Sequence, residues 1–190
     1  MNNRPLYWFP LAIVAVLAAL SAWLQYAVST SSPGVLSKGL HVADYIIEHF
    51  MVTRTNLAGQ VVYTLHADHA EHYLDDDTTL LTSPHLVAND DQQGTADIRS
   101  SRALVTAQGK QVNFIGHVVL VRDMHDQQGP LTLTTEYLEA IPDQRVMRTD
   151  RPVLVVGKSI NMTAGGLELN NQTQILKLTH RVKARYVPIE

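Results

Sequence analysis

"VNFIGHVVLV", Val112–Val121, puts Val112, Phe114, Gly116, Val118 and Leu120 at every second position. That is the period of a strand whose alternate side chains share one interior. The spacing recurs upstream in Val61, Tyr63, Leu65 and Ala67. Shorter versions follow in Ala96/Ile98, Leu131/Leu133, Val153/Val155, Ile160/Met162/Ala164 and Leu176/Leu178. Between these runs stand "NLAG", "LDDD", "NDDQQG", "AQGK", "DMHDQQG", "IPDQ", "GK", "AGG" and "NNQ", which are turn compositions. No helical stripe competes after residue 50.

The runs form an imperfect repeat. Four units each carry a strand, a turn and a second strand, with first strands marked by Tyr63/Leu65, Ala96/Ile98, Leu131/Leu133 and Ile160/Met162. The steps are 33, 35 and 29 residues. Ser83, Gly116, Asp150 and His180 fall at similar places inside the second strands "LLTSPHLVA", "VNFIGHVVLV", "VMRTDRPVLVV" and "ILKLTHRVKARYV". One such ribbon cannot cover its own apolar face. Stacked ribbons give a folded-over antiparallel sheet with an internal trough and an unpaired edge at each end; a conventional sandwich alternates in the same way. The charges of "THRVKARY" either guard the last edge or are a solvated face.

Ahead of this lies "LYWFPLAIVAVLAALSAWLQYAV", Leu6–Val28, and no charged residue occurs between Arg4 and Lys38. As a helix, 23 residues rise roughly 34 Å, enough for a hydrocarbon layer of roughly 30 Å. Tyr7 and Trp8 stand at one end, Trp23 and Tyr26 near the other, as interfacial aromatics do. The rival is a signal peptide, but the apolar run exceeds the usual core of one, and bulky residues surround any cleavage point. The stretch reads as a retained transmembrane helix over 6–28. Arg4 then sets residues 1–5 in the cytoplasm, with a linker at 29–40 and the domain at 41–190 beyond an inner membrane, in a periplasm.

The part beyond Ser37 carries 14 basic and 18 acidic residues, without the basic stripe that grips nucleic acid. With no cysteine, a disulfide scaffold and thiolate metal sites are excluded. "HADHAEHYLDDD" suggests a metal, because His66, His69 and His72 are three apart. On a strand, however, His66 and His69 are expected to face opposite sides, and no zinc spacing is matched. Asp75, Asp76 and Asp77 read as a turn. No nucleophile elbow, zincin motif, P-loop or dinucleotide fingerprint occurs, so neither an enzyme nor a cofactor is expected. A hydrolase using His66, His69 or Asp77 is the weakest reading.

The short anchor, "NLAGQVVYTLHADHAEHY", "TTLLTSPHL", "VNFIGHVVLV" and "GKSINMTAGGLELNNQTQILKLTHRVKARY" together resemble the C component of the lipopolysaccharide export system, the LptC family. The resemblance covers nearly the whole chain. It implies an inner-membrane helix followed by a curved, boat-shaped antiparallel β-jellyroll, all-β and noncatalytic. It implies lipopolysaccharide as ligand, taken from an inner-membrane ABC transporter complex through the N-terminal helix and first ribbon. A periplasmic bridge protein of the same fold would receive it at the C-terminal edge. Carried over by position, lipid contacts fall on Phe50, Leu81 and Ile115, with Thr173 near the far end of the cavity; alternation adds Tyr63 and Leu65. Ordinary core packing is the alternative reading of Phe50, Leu81 and Ile115. Gly59 and Gly116 resemble family glycines and read as backbone devices, a turn and a kink. An assembly module with a closed interior is the alternative function.

Overall fold

A computed structural model describes residues 8–30, 41–90, 94–123, 129–173 and 175–186. The chain divides into two units, 1–41 and 42–190. In the first, α1 spans Trp8–Thr30. Its stretch Pro10–Ala27, of mean hydropathy 1.7, is long and apolar enough to cross a membrane. Pro10 sits in the first turn, where its missing N–H costs no helical bond. Ser29 and Thr30, expected in the linker, extend the helix instead, since nothing there breaks it. The expected tail 1–5 and the remaining linker 31–40 lie outside the described residues.

The second unit is antiparallel throughout, among the described residues. Its strands are β1 (Ala43–Thr55), β2 (Val61–Tyr73), β3 (Thr78–Thr82), β4 (His85–Asp90), β5 (Gly94–Arg99), β6 (Arg102–Thr106) and β7 (Gln111–Asp123). They continue as β8 (Leu131–Ile141), β9 (Val146–Thr149), β10 (Val153–Val156), β11 (Ile160–Ala164), β12 (Gly166–Asn170), β13 (Ile175–Thr179) and β14 (Lys183–Tyr186). Four long strands, β1, β2, β7 and β8, run through a common bend. The short ones meet it end to end, as β3 with β4 and β9 with β10 do.

The bend splits the sheet into two layers. The first orders the start of β1, the end of β2, β3, β6, the start of β7, the end of β8, then β9, β12 and β13. The second orders the remaining halves with β4, β5, β10, β11 and β14. The unit is thus the all-β, folded-over stack of ribbons that the repeat implies.

The break points of the repeat lie at this bend. Left-handed backbone occurs at His49, Ser83, Gly116, His117, His180 and Arg181, with φ from 47° to 76°. Only glycine adopts this without cost, so the other five hold strained backbone that the two layers impose. Ladder bonds continue across it: Ser83 N–H donates to Ser101 O at 2.9 Å, and Ser101 N–H to Gly116 O at 2.8 Å. β7 carries one residue more than β8 here, since Ile115 pairs with Tyr137 but Val118 with Thr135. This is a bulge, with Gly116 at φ 76° inside it. Gly59, at φ 80°, closes the β1–β2 turn by donating its N–H to Asn56 O.

The bend also corrects one expectation. His66 pairs with His85 in the second layer, and His69 with Thr82 in the first. Ala67 and Ala70 are the buried residues around them. Both histidines therefore face outward, because alternation restarts where the strand turns the corner.

Candidate functional site

The cross-strand registers assemble the interior from continuous, mostly apolar rows. In the second layer Val52, Leu65, Leu86, Ile98, Leu120, Leu133, Val155, Met162 and Ala184 lie side by side from one edge to the other. In the first layer the row next to the bend is Ile47, Ala70, Leu81, Ala103, Phe114 and Leu138. The next row runs Tyr45, His72, Thr79, Val105, Val112, Ala140, Met147, Leu169 and Leu176. The buried members of both layers form one hydrophobic cluster.

The middle of this interior is filled. Ile98, Val118 and Leu138 are 0 % exposed and Phe114 is 1 % exposed. Towards the edges the same rows come into solvent. On β1, Tyr45, Ile47 and Val52 are 47 %, 43 % and 46 % exposed; at the other end Leu176 on β13 is 36 % exposed and Ala184 on β14 is exposed. Among the described residues β1 pairs with β2 alone, β13 with β12 alone and β14 with β11 alone, so both ends offer free strand edges over an oily interior.

Of the residues expected to line a trough, Leu81 is buried in the inward row beside Phe114. Leu65 and Phe50 are half-buried and pack on the same cluster. Tyr63 is half-buried between Arg54 and Ala88, further from the bend. Thr173 is exposed in the turn after β12, its N–H donating to Asn170 Oδ1. Ile115 is placed otherwise. It lies between Arg102 and Tyr137, in the row of Glu48, His69 and Thr82 on the outer face. Its neighbour Phe114 is the side chain that turns inward, and strand geometry allows only one of the two to do so.

The outer face carries a separate groove of about 410 Å3, lined by Tyr137, Glu139, Arg148, Thr149, Asp150, Leu167, Glu168, Lys177 and Thr179. Charges of alternating sign run across it, Glu139, Arg148, Glu168 and Lys177 being cross-strand neighbours. Arg148 Nη2 donates to Glu139 Oε1 at 3.1 Å. This polar ladder does not suit acyl chains.

On β1 and β2 the histidines meet carboxylates. His69 stands 2.7 Å from Glu48 and 2.9 Å from Glu71; His72 stands 2.7 Å from Asp44 and stacks on Tyr45 at 4.5 Å. Hydrogen bonds to Glu71 and then Glu48 hold the His69 pKa above its usual value, and the bond to Asp44 does the same for His72. The partners move the other way. The His72 bond lowers Asp44; the Tyr73 hydroxyl, then His69, lower Glu71. Protonated His69 can donate from both nitrogens, whereas the neutral ring has one donor.

The sign follows. Raised histidine values stabilise the pairing below the unfolded value of about 6.5, and this is lost as pH rises through the folded values. Lowered carboxylates stabilise above about 4, and this is lost as pH falls through their folded values. Amide exchange of β1, corrected for intrinsic rates, is therefore expected to be slowest between these limits and faster on both sides. The double variant His69→Gln/His72→Gln is expected to flatten that profile; an unchanged profile would mean that these histidine–carboxylate pairs do not hold β1 to β2.

A family model described as "Lipopolysaccharide-assembly, LptC-related" matches residues 11–187. Among solved structures, the chain is similar to the crystal structure of LptH, described as the LptA homologous periplasmic component of the conserved lipopolysaccharide transport device from Pseudomonas aeruginosa. The TM-score is 0.56 at 10 % identity, over 66 % of this chain and 95 % of that one. At that identity the likeness shows a shared fold. No curated protein matches.

Proposed function

Because the chain belongs to the LptC-related lipopolysaccharide-assembly family, we propose that it is a noncatalytic relay within lipopolysaccharide transport. α1 anchors it in the inner membrane with the β unit in the periplasm. It takes lipopolysaccharide from an inner-membrane ABC transporter complex, reached through α1 and the first ribbon. It passes the lipid to a periplasmic bridge protein of the same fold, docked at the β13 and β14 edges. Tethering keeps the β unit at high effective concentration beside the transporter. Acyl chains take the interior rows, and sugars and phosphates stay in water.

The observation that carries this reading is the apolar row from Val52 to Ala184, which crosses the second layer and opens at both free edges. Such a row offers tails a continuous path, and the edges offer backbone pairing to a like-folded partner. The filled middle at Ile98, Phe114, Val118 and Leu138 favours a second reading, an assembly module whose interior is only a core.

A photo-reactive residue separates the two. Placed at Leu65 on the inward row, it is expected to label lipopolysaccharide during transport, at about tenfold the yield of the same group at outward Ile115, since only the inward position removes apolar surface from water on binding. Label from Leu65 found solely on protein would leave the assembly module.

A further inference from the structure

Counting outward from the bend, the inward positions of β7 are Val118, Leu120 and Arg122; those leading out of β12 are Leu167, Leu169 and Asn171. The first two of each set belong to the common hydrophobic cluster. The third of each is polar. Arg122 lies between Ala96 and Leu131, yet its Nη1 donates to Asn171 Oδ1 at 2.5 Å. One residue belongs to the second layer and the other to the first. The bond therefore spans the side of the stack opposite the bend, where the free ends of the two layers meet.

Asn171 is itself fixed, its backbone N–H donating to Arg145 O at 2.8 Å. Both groups are half-buried. Separating them breaks a bond from a charged donor that ties one layer to the other, which disfavours opening unless another acceptor takes the place of Asn171 Oδ1. An amphiphile with an anionic headgroup supplies that acceptor next to its own acyl chains.

We propose that Arg122 and Asn171 form a strut that holds the long side of the stack shut. Lipid passes sideways between the layers when an anionic group draws Arg122 away from Asn171. The filled interior is then the closed state of a gated trough. This rests on the relay reading above and adds the route and its control.

Retention of lipopolysaccharide by the full-length chain in nanodiscs tests it. Asn171→Ala removes the acceptor and is expected to speed loading by about tenfold, the lower value of a hydrogen bond from a charged donor. Asn171→Asp turns the bond into an ion pair and is expected to slow loading by a similar factor. The chain has no cysteine, so Arg122→Cys/Asn171→Cys can be bridged selectively by a short bifunctional methanethiosulfonate. The bridged protein is expected to lose at least about tenfold in loading rate and to recover it when dithiothreitol cleaves the bridge. Thermal unfolding of each variant shows that it is folded.

If the bridged protein loads as fast as the reduced one, the strut is no gate and lipid comes in by the open edges, with the relay intact. If the native chain itself retains no lipopolysaccharide, the relay fails and the strut falls with it.

Discussion

Phe114→Ala is expected to destabilise the β unit by about 3–5 kcal/mol, the usual cost of deleting a buried ring whose neighbours cannot close over the cavity. Phe114 is 1 % exposed and sits in register with Ala103 on β6 and Leu138 on β8, both 0 % exposed. Ala103 is too small to fill the gap, and Leu138 is held by its own strand. The adjacent change Ile115→Ala is expected to cost about 1 kcal/mol, as half-exposed sites do. Urea unfolding of the two variants, compared at equal slope, checks the difference. A larger loss at Ile115 than at Phe114 would reverse the assignment of inner and outer faces in this layer.

Leu17→Arg should have the other large effect, on where the chain resides. Leu17 lies near the centre of Pro10–Ala27, in a helix without a charged side chain. A guanidinium at the middle of a span costs about 2.5–3.5 kcal/mol on insertion scales, beyond the loss of the leucine. That is on the order of a hundredfold in partition. Carbonate extraction of membranes should find Leu17→Arg largely released and Leu17→Ile fully retained. Full retention of the arginine variant would mean that the β unit or a partner holds the chain at the membrane without α1. The β unit should keep its unfolding midpoint in either variant, because it forms a separate unit from residue 42.

Much of the β unit could be read before any coordinates. Alternation in "VNFIGHVVLV" marks Phe114, Val118 and Leu120 for the interior, where the structure puts them. Ser83, Gly116, Asp150 and His180 mark the corner, because each interrupts an apolar run at the same depth in its ribbon. The site was less legible. A positional likeness put Ile115 in the trough, one residue away from the side chain that enters it. In a strand such a slip exchanges the two faces. No local pattern separates Arg122 from the other charged residues of the chain.

By itself the sequence determined strands of period two, their grouping in ribbons, and a charge-free helix of membrane length. Each depends on the order of neighbouring residues and on the cost of leaving apolar surface or backbone bonds in the wrong solvent. The tertiary structure alone decided the phase of alternation beyond the bend, and so that His66 and His69 share the outer face. It alone brought Arg122 to Asn171, 49 residues further along. The physical reason is that left-handed residues and a one-residue bulge reset the phase at the corner. Which side chains then meet across the mouth depends on how two separately ordered layers close over one core.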